Sequence, residues 1–466
     1  MNFISALLLL IVLDILLPDW PAYNGAVAAL FLVFPADMTR TLLAGNVVFG
    51  SAVYLAAACF LAAFWRGGRW WTWIAGMLVL ALALGTYEVS VGITIALSGL
   101  AFLFSKHRAW PQRIALLAPA LAAGLFSIWR WVWQQTTEGA FGYVSENVTF
   151  SPAVLLERLS AGVGYVLHIA WTDTIVNLIP PPSIDGRTGR ALVVILLLGL
   201  VLSAIAAAYW VIRSTAGERP AAGNESAAAG PRAIAAAGVV GLIMVVAGYF
   251  PIILAQFPGD WYAMSRTHHA SSIGASLVIC SVVFGIALLV GRDRRWTAVL
   301  TVAGVAPLVA LGVAAHLMVH RQTRQAWADQ TEIWRTLFEL APEIADGTHV
   351  LIVLNEYNSS AIPLKGPGPF IQGDWGMNNA IRTLYGKDTL YAHFGVGWPQ
   401  RILIPDGDTL VLTDFGERRY PAAETLVFMF GKNDRQLVQW PVLEKDGQVL
   451  PLGVDRITST DRKSVV

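Results

Sequence analysis

Charge and cysteine are both scarce here: 14% of the residues are charged, and the only cysteines are Cys59 and Cys280. Both cysteines fall inside apolar stretches, which excludes a disulfide framework in an exposed domain and leaves them as small apolar packing residues. The 32 basic and 31 acidic residues give a net charge of +1. With the basic residues confined to loops, that balance argues against a nucleic-acid partner. Soluble-enzyme signatures are absent too. No Gly-rich phosphate loop follows a strand, and there is no His-Glu-x-x-His and no nucleophile elbow. What is abundant is apolar surface. At 56% hydrophobic residues and a mean hydropathy of +0.57, the composition is that of a polytopic membrane protein.

A hydrocarbon core about 30 Å thick takes roughly 20 helical residues. Apolar stretches near 3–17, 22–34, 41–64, 71–84, 87–104, 114–133, 191–212, 233–254, 270–290 and 297–319 predict about ten spans, some of them short. The connections Trp65 to Arg69, Lys106 to Arg113 and Arg292 to Arg295 are short and basic, so the positive-inside rule puts them in the cytoplasm. Threading the chain through them places Phe34 to Asp37, Gly85 to Glu88, residues 134–190 and Gln256 to His269 outside. It places the low-complexity linker Arg213 to Arg232 inside. The stretch Val154 to Ile179 is long enough for another span, but counting it would turn Arg213, Arg219 and Arg232 outward. It is therefore expected to be an interfacial helix on the outer leaflet, with Glu157, Arg158, His168 and Asp173 as its polar points. By this parity Phe3 to Leu17 runs inward.

Residues 321–466 are polar enough to fold in water, and parity puts them outside. The expected fold class is mainly α: a polytopic transmembrane helix bundle over 1–320, followed by a small extracytoplasmic α/β domain over 321–466. Ile333, Leu337 and Leu340 give Trp327 to Leu340 helical spacing, closed by Pro342 and Asp346-Gly347. Strands are expected at His349 to Leu354, Thr409 to Leu412 and Thr425 to Phe430, with a loop over Pro363 to Trp375. No basic n-region or small-residue cleavage site accompanies Phe3 to Leu17, which fits insertion by the first spans into a bacterial inner membrane.

Any chemistry is expected at the outer face. Asp37 and Arg40 precede the third span, Tyr87-Glu88 opens the fifth, and Arg266, His268 and His269 close the loop from Asp260. The guanidinium fork of Arg266 suits a phosphate, set against the ordinary alternative of snorkelling to headgroups. Asp37 and Glu88 are candidate bases or cation ligands, set against capping of the helices they begin. Adjacent histidines on a helix point in different directions, which weakens a shared metal site. Asp14, inside the first span, is the costly placement, because a midspan acid faces a bundle interior or a wet cavity.

Phe34-Pro35-Ala36-Asp37 closing a short span, Thr86-Tyr87-Glu88 opening another, and Ser265-Arg266 before the penultimate span resemble bacterial polytopic proteins of the GT-C glycosyltransferase superfamily. The resemblance covers roughly residues 1–320. It implies inverting sugar transfer at the outer face, from a polyprenyl-phosphate donor to a lipid, glycan or protein acceptor, sometimes with a divalent metal. On that reading Asp37 and Glu88 are the catalytic candidates, and Arg266, Arg40, His268 and His269 would bind the donor phosphate. Family members carry an acidic pair in the first outer loop, and this chain has none there. Matching Phe3 to Leu17 with the family's second helix places that loop upstream of Met1, so the chain is expected either to be N-terminally truncated, the preferred reading, or to be complete with Asp37 or Glu88 as substitute bases. The competing class is a non-catalytic membrane scaffold, or a lipid- or polysaccharide-assembly or transport component. Its exterior domain would dock an envelope protein or glycan. Apart from Asp14 the spans carry few ionisable residues, which weakens proton-coupled transport.

Overall fold

Helices occupy the apolar runs, since a segment in hydrocarbon must satisfy its own backbone hydrogen bonds. The computed structural model describes residues 2–36, 45–86, 90–105, 108–136, 151–178, 226–254, 268–291, 294–355, 373–397, 399–413, 417–431, 435–445 and 448–458. These fall into two units, Met1–Met318 and Val319–Val466. The first contains α1 (Asn2–Leu16), α2 (Pro21–Leu32), α3 (Gly45–Gly67), α4 (Trp70–Thr86), α5 (Val91–Phe104), α6 (Trp110–Ala115) and α7 (Ala118–Thr136). Next, α8 (Pro152–Gly164) runs through a π turn at Tyr165–Ile169 into α9 (Ala170–Leu178). After these come α10 (Ser226–Ile253), α11 (His269–Val290) and the first part of α12 (Arg294–Leu340), whose residues from Val319 belong to the second unit.

Contacts sort the helix ends into two groups. At one end Arg108 donates to the carbonyls of Trp65, at 2.6 Å, and Arg66, while Arg66 donates to Ile15 at 2.5 Å. Trp20 packs edge-on against Phe284 with centroids 5.0 Å apart, which brings the end of α11 to the same place. At the other end Phe31, Ser51 and Tyr249 meet His268 and His269. Helices α1, α2 and α3 therefore alternate in direction, as do α10 and α11, and Arg66 and Arg108 collect at the end opposite the histidines. Gly68 ends α3 with φ +67°, and its amide donates to Phe64 at 2.7 Å, a left-handed cap that glycine adopts without strain.

The α8–α9 segment behaves differently. Arg158 reaches Ile253, Tyr165 stacks on His268 and Trp171 packs on Phe34, so all three anchors belong to the histidine end. Pro152–Thr172 is long and apolar enough to cross a membrane by length and composition. Its anchors nevertheless run it across that end of the bundle.

Tight packing depends on small residues. A Cβ on Gly274 would lie 2.5 Å from the Gly241 carbonyl, and one on Gly248 would lie 2.6 Å from Ser271 Oγ, so α10 and α11 touch through their backbones. Ser271 donates to Val245 at 3.0 Å, and Ser276 donates back to Ser272 at 2.8 Å, so these buried hydroxyls are satisfied.

One expectation is not confirmed and one is corrected. Among the described residues six helices are long and apolar enough to cross a membrane, which does not confirm about ten spans. The stretches expected at 3–17, 22–34, 71–84 and 87–104 form shorter apolar helices, and 191–212 lies outside the described residues. The helices expected separately at 297–319 and 327–340 form one helix, α12, because no glycine or proline interrupts the chain between Gly312 and Pro342.

In the second unit a four-stranded sheet has the order β2-β1-β6-β7, with β1 (His349–Asn355) parallel to both β2 (Tyr391–Val396) and β6 (Thr425–Gly431). Helix α13 (Gly373–Tyr385) makes the crossover from β1 to β2, and β7 (Leu437–Trp440) runs antiparallel to β6. Two small antiparallel sheets follow: β3 (Leu403–Asp406), β4 (Thr409–Leu412) and β5 (Arg418–Pro421), then β8 (Val442–Lys445) and β9 (Gln448–Pro451). Helix α14 (Pro399–Ile402) leads into β3. One face of β1, carrying Val350, Ile352 and Leu354, packs with Ile333 and Leu337 of α12 and Ile381 of α13. The other, carrying Leu351 and Val353, packs with Leu403, Leu410 and Leu443 of the small sheets. A strand covered on both faces reads as an unbroken apolar run, and His-Val-Leu-Ile-Val-Leu is one.

Candidate functional site

His268 and His269 stand at the start of α11 with exposures of 0% and 3%. His268 Nδ1 hydrogen-bonds the Tyr249 hydroxyl of α10 at 2.6 Å, and its ring stacks on Tyr165 of the π turn with centroids 4.4 Å apart. His269 serves other partners. Its Nε2 hydrogen-bonds Ser51 of α3, and its ring lies 6.0 Å from Phe31 of α2. Neighbours on a helix are rotated by about 100°, so the two imidazoles diverge. Among the described residues no three His, Cys, Asp or Glu side chains come together as a metal-binding group.

Beside His269 a cavity of about 20 Å³ is bordered by Ser51, Tyr54, Ser90, Ile93 and Ile273. That is room for about one water, and hydroxyls and an imidazole line it. Nearby, the buried indole of Trp171 meets Phe34 edge-on with centroids 5.3 Å apart. Its Nε1 is a buried donor without a hydrogen-bond partner among the described residues. Arg158 closes α10 by donating to the carbonyls of Ile253 at 2.8 Å and Leu254 at 3.3 Å, which have no partner within the helix.

Of the candidates read from sequence, Asp37, Arg40, Glu88 and Arg266 lie outside the described residues. Their described neighbours are brought together, however. Phe34, Ser90 and His268 all stand at the histidine end of the bundle, against Trp171, the small cavity and Tyr249 respectively. Asp14 has a structural role: it accepts a 2.7 Å hydrogen bond from Asn24 of α2, whose amide also donates to Leu17 at 2.9 Å. Tyr165, Tyr249, Ser51 and Tyr54 were not singled out from sequence. Only the crowding of His268, His269, Ser271, Ser272 and Ser276 at the head of a strongly apolar helix marks the place in the chain.

The second unit holds a separate ring cluster. His349 stacks on Tyr391 and His393 with centroids 5.1 and 6.1 Å apart, and Tyr420 lies against both histidines. Burial lowers the His349 pKa, and the neighbouring His393 lowers it further. No protein-family model, curated protein or solved structure matches this chain.

Proposed function

We propose that this is a membrane glycosyltransferase of the GT-C type, moving a sugar from a polyprenyl-phosphate donor to an envelope acceptor at the outer face. The observation that carries the reading is the buried histidine–tyrosine–serine array at one end of an apolar bundle, at the chain positions that adjoin Asp37, Glu88 and Arg266. Buried imidazoles at the end of an apolar bundle are costly, which supports a functional site there.

In this reading Asp37 or Glu88 accepts the proton of the acceptor hydroxyl. That oxygen attacks the anomeric carbon from the face opposite the phosphate, the carbon–oxygen bond to the lipid phosphate breaks, and configuration inverts. Arg266 and Arg40 receive the negative charge that grows on the departing phosphate, with His268 and His269 alongside. The Nε1–H of Trp171, unpartnered among the described residues, is a further donor at the same end. The test is sugar transfer from a synthetic polyprenyl-phosphate sugar by the purified chain, compared with Asp37→Ala and Glu88→Ala variants. Loss of transfer in one of them, with folding unchanged, supports the assignment. Full transfer by the double variant refutes it.

A further inference from the structure

The opposite end of the helical unit holds a larger feature that the proposed function does not use. A cavity of about 560 Å³ opens between α1, α3 and α4, bordered by Ile15, Cys59, Phe60, Arg66, Arg69 and Trp71. Its volume falls in the range of about 300–1,000 Å³ typical of small-molecule sites. Along α3, Cys59, Ala63 and Arg66 follow one another on one face, so the cavity extends about 10 Å along the helix at 1.5 Å per residue. Its lining is graded. Ile15, Cys59 and Phe60 are apolar, and two guanidinium groups stand at the helix end with no Asp or Glu among the bordering residues. Arg66 donates to the Ile15 carbonyl at 2.5 Å through Nη1, and Arg69 forms no ion pair among the described residues. Trp71, 59% exposed, borders the opening with an indole of the kind that settles at headgroup level.

We infer that this cavity binds an anionic phospholipid of the leaflet at the basic end, with its phosphate on Arg66 and Arg69 and its acyl chain along Ile15, Cys59 and Phe60. Two guanidinium groups with no acid on the border, the nearby Asp14 being engaged by Asn24, disfavour a cationic occupant and leave a zwitterionic one with an unmatched ammonium. An apolar floor continuous with the charged rim excludes a free anion as the best fit. Basic pockets between helices at the cytoplasmic side hold anionic lipids for these reasons. The inference is independent of sugar transfer, because it involves the other end of the bundle.

The experiment is native mass spectrometry of the purified full chain with phosphatidylglycerol or phosphatidylcholine carrying the same acyl chains. Phosphatidylglycerol is expected to be retained at least tenfold better. Arg66→Gln with Arg69→Gln should weaken its retention by about tenfold for each guanidinium removed. Ala63→Trp, which fills the cavity and keeps both arginines, should also expel the lipid, and it decides the matter if the arginine variant does not fold. Equal retention of the two lipids overturns the inference, as does unchanged retention by Ala63→Trp. Displacement of the lipid by millimolar glycerol phosphate would show a site for free phosphate and overturn it as well.

Discussion

Gly92 gives the sharpest prediction of stability. It lies in α5 where that helix crosses α10, and a Cβ placed on it would stand 1.9 Å from the Ala247 carbonyl oxygen and 3.0 Å from the carbonyl carbon. The obstacle is backbone, so no side chain can swing away, and Gly92→Ala must part the helices by roughly 1 Å. A gap of that size forfeits a quarter to a half of each dispersion contact along the crossing. Overpacking of this kind costs about 1–3 kcal/mol, and an obstacle made of backbone puts it toward the upper end. Alanine's better helix propensity, about 1 kcal/mol, works in the opposite direction. Gly99, in the same helix, supplies the control, because a Cβ there meets nothing within 4 Å. Gly99→Ala gains the same propensity with no clash, so propensity cancels in the comparison and leaves a difference of about 2–3 kcal/mol. Thermal unfolding in detergent, followed by tryptophan emission, should place Gly92→Ala several degrees below Gly99→Ala. Equal midpoints for the two variants would refute the backbone contact between α5 and α10.

Other perturbations test the remaining parts. Removing either member of the Tyr249–His268 hydrogen bond, by Tyr249→Phe or His268→Phe, should cost about 1–2 kcal/mol, because the partner loses a bond in apolar surroundings. A double-mutant cycle on detergent unfolding should return coupling between the two, and additivity would contradict the contact. Phe428, fully buried in the sheet of the second unit, should cost about 3–5 kcal/mol when changed to Ala, read as faster proteolysis within residues 319–466 of the full chain. His349 has a pKa below its ordinary value of 6.5 in the folded unit, so the unfolded chain binds the extra proton and stability rises with pH. The contribution is complete above about pH 6.5 and is lost as pH falls from there through the lowered folded value. His349→Gln should flatten that part of the stability profile, measured by denaturant unfolding between pH 5 and 8.

The sequence was most legible where one physical signal dominated. Strand β1 is apolar at every interior position because both its faces are covered, and β6 follows the same logic. Strands β3, β5, β7, β8 and β9 are four residues long, too short for alternation to show, and β2 carries Tyr391, His393 and Gly395 among its six residues. Helix α13 offers little beyond Met377 and Ile381, an i, i+4 pair flanked by Gly376 and two asparagines, so its helical period is faint. The length of α12 was misread for a different reason. The change from apolar to polar near Val319 marks a change of surroundings, and backbone conformation follows propensity and breakers instead.

The site follows a similar division. His268 and His269 could be found in the sequence because ionisable residues beside an apolar run are conspicuous, whereas their partners come from distant helices and no periodicity links Tyr165 or Ser51 to them. Asp14 drew attention for the same reason, and its link to Asn24 shows that a conspicuous acid can serve only to join α1 to α2. What separates the two cases is the company each keeps. Asp14 has one amide partner and lies two residues before the end of α1, beside Ile15, which Arg66 holds. The histidines stand among hydroxyls, a water-sized cavity and an indole N–H unpartnered among the described residues, where side chains from α2, α3, α10 and the π turn meet. A helix pair needs one hydrogen bond to hold it. Convergence of polar groups from several helices upon a hollow the size of one water, at an energetic cost that apolar packing would avoid, is what a buried bridging water would satisfy.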